Sequence, residues 1–442
     1  MLYNFRSYIE SHELFTENDN ILVACSGGID SMVLCDLLRR AGITFALAHA
    51  NFKLRLPDAD HDASFVSAYG KHHQIKTFIK DFDTAHYAQQ HHLSTQMAAR
   101  TLRYSWFQEL CSTHGFTKVA TAHHANDTAE TIVMNLSRGT GIKGLRGIQP
   151  SVKNIIRPLL FATRKMVVDY AREHHIEWRE DYTNAEDHYT RNYIRHHIIP
   201  AIEELNPSFI EKASSFATTM QESYKLLMHF VTQHQHEWIQ HKGETVYIDK
   251  KIASIPGASS LLYLLLQPYG FTPDQVHNIY KHLDDHSGIS FFSEEYELVC
   301  DRLHLIITPM HTKFAEKEIH TLPCHIEISG KVFIAEETTS FSDYKKCEEN
   351  TVYLDCQKVC FPLTLREWKK GDWFIPLGMK GKKKISDLMI DQKIPVNLKK
   401  RQLLLCSNDH IVWVPGIRPD DRFKITDKTT KAIKCTIHDQ SI

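Results

Sequence analysis

At 442 residues the chain is too long for one compact core, so two or three domains are expected. Hydrophobic residues make up 42% and charged residues 24%, ordinary for a globular protein, and no apolar run is long enough for a membrane span. The net charge of -1, with 29 histidines beside it, leaves local charge to decide whether a polyanion is a partner. The first residues, MLYNFRSYIESHE, lack the apolar core of a secretion signal. Ten scattered cysteines form no CxxC pair, which argues against a zinc ribbon, a redox dithiol or an iron–sulfur cradle. Reduced thiols in the cytoplasm are the expectation.

In chain order, the pattern predicts a buried strand over Ile21–Cys25, a glycine turn, and an amphipathic helix over Ser31–Arg40. Further strands are predicted over Ile43–Ala48, Ile75–Phe82 and Lys118–Ala122. Helical patterns fall over Thr84–Gln90, Leu93–Cys111, Asp127–Arg138 and Thr163–His174. Such alternation implies an α/β fold with a doubly wound, mostly parallel sheet. A long helical pattern over Phe209–Lys242 follows Asn206-Pro207, and short strand-like runs broken by Gly and Pro begin at Val352. The expected division is a catalytic domain over 1–212, a mainly helical substrate-binding middle over 213–345 and a small, β-rich, basic domain over 346–442.

The strongest local signal is Ser26-Gly27-Gly28-Ile29-Asp30-Ser31, between the first strand and the first helix. Adjacent glycines let backbone turn sharply and approach an anion, and a helix entrance presents free N–H groups to phosphate. Hydroxyls of Ser26 and Ser31 are further donors. Asp30 is out of place beside phosphates unless a cation intervenes, which points to Mg2+ held by Asp30 and phosphate oxygens. The competing reading is a plain strand-to-helix turn. No Walker sequence is present.

The six-residue string resembles the PP-loop of the N-type ATP pyrophosphatases, HUP-like proteins that split ATP between its α- and β-phosphates and pass AMP to a substrate oxygen. Further strings resemble one branch, the tRNA(Ile)-lysidine synthetases. They are His49-Ala50-Asn51-Phe52-Lys53-Leu54-Arg55 with Asp60 and Asp62, Ala99-Arg100-Thr101-Leu102-Arg103-Tyr104, and Ala122 to Thr131. Trp178 to Asp181 with Asn184, Thr190 to His196, and the tail strings from Lys370 to Asp387 and Trp413 to Gly416 continue the order. Phe52 departs from the family, which usually has histidine there. The resemblance covers about 20–200 and 360–425. It implies joining of free L-lysine to C2 of the wobble cytidine in the CAU anticodon of tRNA(Ile), through an adenylated cytidine, using ATP and Mg2+ and releasing AMP and pyrophosphate.

That chemistry needs a cation for the transferring phosphate, a metal site and a base. Arg103 fits the first as a bidentate fork, against a surface arginine on an amphipathic helix. His123 and Asp127 follow a strand where such a sheet presents its ligand edge, and the family uses this pair around the adenylated cytidine. Asp127 followed by Glu130 is also a helix-capping pattern, and Glu130 is a candidate for the lysine ammonium. Catalytic assignments are therefore Asp30, Arg103, His123 and Asp127. Arg191 and Arg195 share a helical face that suits tRNA, or a solvated face. Between 380 and 401 eight basic residues stand against Asp387 and Asp391, and Lys380, Lys382, Lys383 and Lys384 are the predicted tRNA contacts. Trp368, Trp373 and Phe374 suit either base stacking or core packing. The alternatives are a PP-loop tRNA thiolase, which the lack of paired cysteines opposes, an amidating NAD synthetase, and a non-catalytic RNA-binding protein. A homodimer is compatible with the sequence.

Overall fold

The computed structural model describes residues 1–54, 58–180, 190–283, 285, 288–328, 331–341 and 350–439. Arg55, Asp181 and Asn184 lie outside the described residues. The chain divides into two compact units, Met1–Met228 and His229–Ile442.

The first unit contains β1 (Ile21–Ala24), β2 (Phe45–Asn51), β3 (Thr77–Asp81), β4 (Lys118–Ala120), β5 (Ser151–Val152) and β6 (Ile155–Ile156). They form one sheet in the order β3-β2-β1-β4-β6-β5. All neighbours are parallel except the β5–β6 hairpin. The order turns back at β1, so ligand-binding loops gather at the carboxyl ends of β1 and β4. Helices α1 (Leu2–Ser11), α2 (Ile29–Arg40), α3 (Asp58–His72), α4 (Thr84–Gln90), α5 (Thr95–His114), α6 (Ala125–Ser137), α7 (Ile142–Leu145) and α8 (Arg164–Glu173) come before, between and after the strands. Two apolar clusters cover the sheet, one with α2 and α8 and one with Trp106, Phe107 and Leu110 of α5. Strand β1 reads as a continuous apolar run because it is buried on both faces. Helices α1 and α3 were not expected from the pattern. In α3 only Val66 and Gly70 are buried, so its apolar stripe is short.

After α9 (Thr190–Tyr193), a π-helical segment Ile194–Ile198 leads into α10 (Ile199–Leu205). Helix α11 (Phe209–Trp238) runs straight through the boundary expected near 212, and the division falls within it, after Met228.

In the second unit the middle segment carries helices α12 (Ala258–Leu266) and α13 (Pro273–Lys281), together with a five-stranded antiparallel sheet between Ile239 and Pro309. The sheet was missed in the sequence because its buried cysteine, leucine and isoleucine positions carry no distinctive alternation. Beyond it lie further antiparallel sheets, one of five and one of four strands. The boundary expected near 345 lies outside the described residues. Asn397, fully buried, donates to the carbonyl of Ile306 at 3.3 Å, and Lys400 pairs with Glu297 at 3.1 Å, tying tail to middle. Among the described residues no helix is long and apolar enough to cross a membrane.

Candidate active site

The phosphate loop leaves β1 and enters α2 at Gly28, whose extended backbone makes it the first residue before the helix. Gly27 has φ of 88°, left-handed backbone, and an added Cβ would stand 3.4 Å from Val66 Cγ2. The Ser31 hydroxyl donates to the Gly28 carbonyl at 2.8 Å and accepts from the Gly27 N–H at 3.2 Å. Ser26 and Ser31 hydroxyls meet at 3.3 Å. Their first use is thus to hold the turn itself. His49 donates to the Cys25 carbonyl at 2.9 Å, and the Arg179 N–H donates to the Gly27 carbonyl at 2.9 Å, so β2 and the segment after α8 brace the loop from outside.

Asp30 sits in the first turn of α2. One of its oxygens is paired with Arg164 and lies 3.8 Å from His124 Nε2; the other has no side-chain partner among the described residues. No cluster of three or more metal-ligating side chains occurs among the described residues. A magnesium ion that keeps most of its shell as water and phosphate oxygen needs only one or two carboxylates, and the open oxygen of Asp30 fits that demand.

Helix α6 begins at Ala125, with His124 at its entrance, three residues before the expected cap at Asp127. Asp127 is therefore the third residue of the helix, and its carboxylate accepts the His124 N–H at 2.9 Å. The His124 ring is 4% exposed and stands 3.5 Å from Asp127. The ring lies between the carboxylates of Asp30 and Asp127, and its Nδ1 is shut off from solvent with no hydrogen-bond partner among the described residues.

His123 shares a 2.9 Å hydrogen bond with the Thr121 hydroxyl. Burial, only partly opposed by Asp127, pushes its pKa down to about 4, so it is neutral at physiological pH. Burial pushes the Asp127 carboxyl up, but His124, His123, Arg191 and the backbone N–H outweigh it and hold the group below the ordinary carboxylate value. A neutral imidazole and an ionised carboxylate thus stand together.

Glu130, 2% exposed, accepts from Arg191 Nε at 2.8 Å and from Arg195 Nε at 2.6 Å. Arg191 also reaches Asp127 at 2.9 Å. The π-helical segment carries Arg195 inward to this pair, whereas the sequence assigned the face of Arg191 and Arg195 to RNA. Each guanidinium nevertheless keeps more than a third of its surface exposed.

Arg103 lies over the Phe52 ring at 5.1 Å, and Phe52 stacks on Phe82 at 5.8 Å. The residue that departs from the family pattern is the platform for this arginine. Arg103 is solvent-accessible yet walled in by protein, as a side chain in a crevice is, and that enclosure lowers its proton affinity. Gly147, with φ of 57°, presses on α6; a Cβ there would stand 2.6 Å from Thr128. Close packing, rather than a loose loop, explains it.

In the second unit Lys382 lies 3.8 Å above the Trp373 ring, and Arg422 lies 5.2 Å from it. Lys383 pairs with exposed Asp391 at 2.5 Å, whereas Lys380 and Lys384 are exposed and have no anionic partner among the described residues. Phe374 is fully buried, and Trp368 donates to the Lys399 carbonyl at 2.7 Å, so both belong to packing; Trp373 is half-buried.

Sequence reasoning missed Arg164, which stands four residues beyond Leu160 in the run Arg157-Pro158-Leu159-Leu160 and belongs to no motif of its own.

Comparison with known proteins places these features in one family. A PP-loop domain model matches residues 3–202, a TilS substrate binding domain model matches 240–310, and a TilS substrate C-terminal domain model matches 363–435. A curated tRNA(Ile)-lysidine synthase of Parabacteroides distasonis is 39% identical, over 98% of this chain and 99% of its own length. Those of Bacteroides thetaiotaomicron and Porphyromonas gingivalis are 36% and 34% identical, each over 96% of this chain and at least 95% of their own. The chain belongs to the tRNA(Ile)-lysidine synthase family.

Proposed function

We propose that this chain converts the wobble cytidine of a CAU-anticodon tRNA(Ile) to lysidine, using ATP and free L-lysine. Similarity to curated lysidine synthases over nearly the whole length carries this reading. A thiolase would need a sulfur carrier or cluster cysteines, and the ten cysteines form no CxxC pair.

The pyrophosphate end of ATP sits against the Ser26–Ser31 turn, on the N–H groups of Ile29, Asp30 and Ser31 at the entrance of α2, since those of Gly27 and Gly28 already donate to Ser31 and Ser26. Asp30 would hold a magnesium ion, which would supply positive charge against the phosphates. Arg103 faces the α-phosphate. The cytidine C2 oxygen attacks the α-phosphorus, the bond to the β-phosphate oxygen breaks, and pyrophosphate leaves. The lysine amine then attacks C2, and AMP departs with the former C2 oxygen. An amine of ordinary pKa near 10.4 must first lose a proton. Neutral His123 and ionised Asp127 are the groups placed to accept it. Glu130 holds the lysine ammonium only when Arg191 and Arg195 turn toward RNA, because both of its oxygens are occupied otherwise. Lys380, Lys382, Lys383 and Lys384 contact tRNA phosphates. The functional parts are catalysis in the first unit, ending within α11 rather than at 212, then substrate binding to about 345 and tRNA holding over 346–442, all working in the cytoplasm.

The test is incubation with labelled lysine, ATP and tRNA(Ile) transcript. Label in the RNA, with one AMP released per lysine joined, is expected. Sulfur incorporation, or AMP release without label in the RNA, contradicts the reading.

A further inference from the structure

Seven arginines of the first unit, named below, fall into two groups. Arg164, Arg179, Arg191 and Arg195 each pair with a carboxylate. Arg100, Arg103 and Arg157 have no carboxylate within ion-pair distance among the described residues. Arg103 is assigned to the transferring phosphate. Arg100 belongs to the string Ala99 to Tyr104, Arg157 opens the run Arg157-Pro158-Leu159-Leu160, and neither has a task so far.

Arg157 is the residue after β6, at the carboxyl edge of the sheet. The neighbouring Thr121 N–H donates to the Ile156 carbonyl at 2.9 Å, which places Arg157 abreast of the segment leading to His123. One amino group donates to the Gln149 carbonyl at 2.7 Å. Its Nε is shut off from solvent with no hydrogen-bond partner. Burial, and next the positive charge of Arg100, oppose its charge, with the Tyr104 and Tyr8 hydroxyl groups alone opposing that effect. Arg100 is exposed, stacks over the Tyr104 ring at 5.0 Å, and lies near enough to lower the proton affinity of both Arg157 and Arg103. Keeping uncompensated guanidinium charge in such a place costs stability, and an anion supplied by a substrate removes the cost.

That anion is distinct from the diphosphate on the loop. Two strand spacings, about 10 Å, separate β1 from β6, and the Gln149 anchor holds Arg157 toward the β5 side. We propose that Arg157 and Arg100 grip a backbone phosphodiester of the RNA next to the nucleotide being modified. This rests on the function proposed above.

The experiment measures tRNA(Ile) transcript binding by the full chain across a salt series, and ATP binding separately, for the wild type, R157K, R157M, R100M and the double variant R100M/R157M. Each lost phosphate contact should lower the slope of log affinity against log salt by about 0.7–0.9. R157M and R100M should each lower the slope by part of such a step and the double variant by one full step, since both side chains neutralise a single phosphate. R157K should keep the slope, and ATP affinity should change less than about twofold throughout. Wild-type slopes in variants with unchanged melting temperature overturn the inference. So does a fall in ATP affinity with the RNA slope intact, which assigns the phosphate to the nucleotide. Should R157M fail to fold, R100M decides alone, a lowered slope supporting and an unchanged one overturning. A wild type that ligates lysine while all variants keep its slope sinks this inference only; a wild type that binds no tRNA sinks the function as well.

Discussion

The carboxylate network of the first unit and the lysine loop of the second use charge in opposite ways. Asp30, Asp127 and Glu130 are locked to Arg164, Arg191 and Arg195, with Glu130 removed from water altogether. Lys380, Lys382 and Lys384 stand in solvent. A locked network fixes atoms to fractions of an ångström and resists salt, which suits bond making. An exposed basic loop has no fixed geometry to lose, and its attraction for phosphate falls as salt rises. Removing one charge should therefore be costly in the first region and graded in the second.

The largest effect is expected at the loop. D30A should cut pyrophosphate release on the order of a thousandfold while tRNA affinity stays within about twofold, read by release assay and filter binding. Equal loss of both contradicts the separation of the two regions. E130A comes next. It strips the buried partner from two guanidinium groups, and denaturant unfolding should show a loss of about 3 kcal/mol. A variant as stable as wild type would mean that the arginines find other partners.

The pH profile of stability sharpens the picture further. With a folded pKa of about 4, His123 stays neutral while the unfolded chain takes up a proton below about 6.5. Stability should fall as pH drops from about 6.5 to 4, by up to roughly 3 kcal/mol, and H123Q should flatten that window. Asp127, held low, adds stability above its unfolded pKa that is lost only as pH falls through its folded pKa. An H123Q curve parallel to wild type in this window would contradict the burial argument. The smallest effect is expected in the loop of the second unit. Changing Lys382, Lys383 and Lys384 to alanine together should flatten the salt slope by up to about two or three units and leave ATP cleavage at saturating tRNA unchanged. Lys383 is expected to contribute least, since Asp391 already neutralises it.

The parallel sheet was legible because β1 and β4 are short apolar runs between helical patterns, and the loop because six residues in one string do one job. What escaped depends on contacts across the chain. His124 touches Asp30 from 94 positions away in sequence, and Arg164 reaches the same carboxylate from 134. Spacing along a helix placed Arg191 and Arg195 on one face correctly, but it did not reveal that the face turns toward Glu130. The helix cap was misplaced because Asp127 favours both the entrance and the third position of a helix. The sheet of the middle segment went unseen because buried strands and buried helices share an apolar composition.

The most direct test follows an atom. A tRNA(Ile) transcript carrying oxygen-18 at C2 of the wobble cytidine should, with ATP, lysine and this protein, yield AMP bearing the heavy oxygen and pyrophosphate bearing none. Unlabelled AMP, with the heavy oxygen in water or still on the base, would contradict activation of the cytidine by adenylyl transfer.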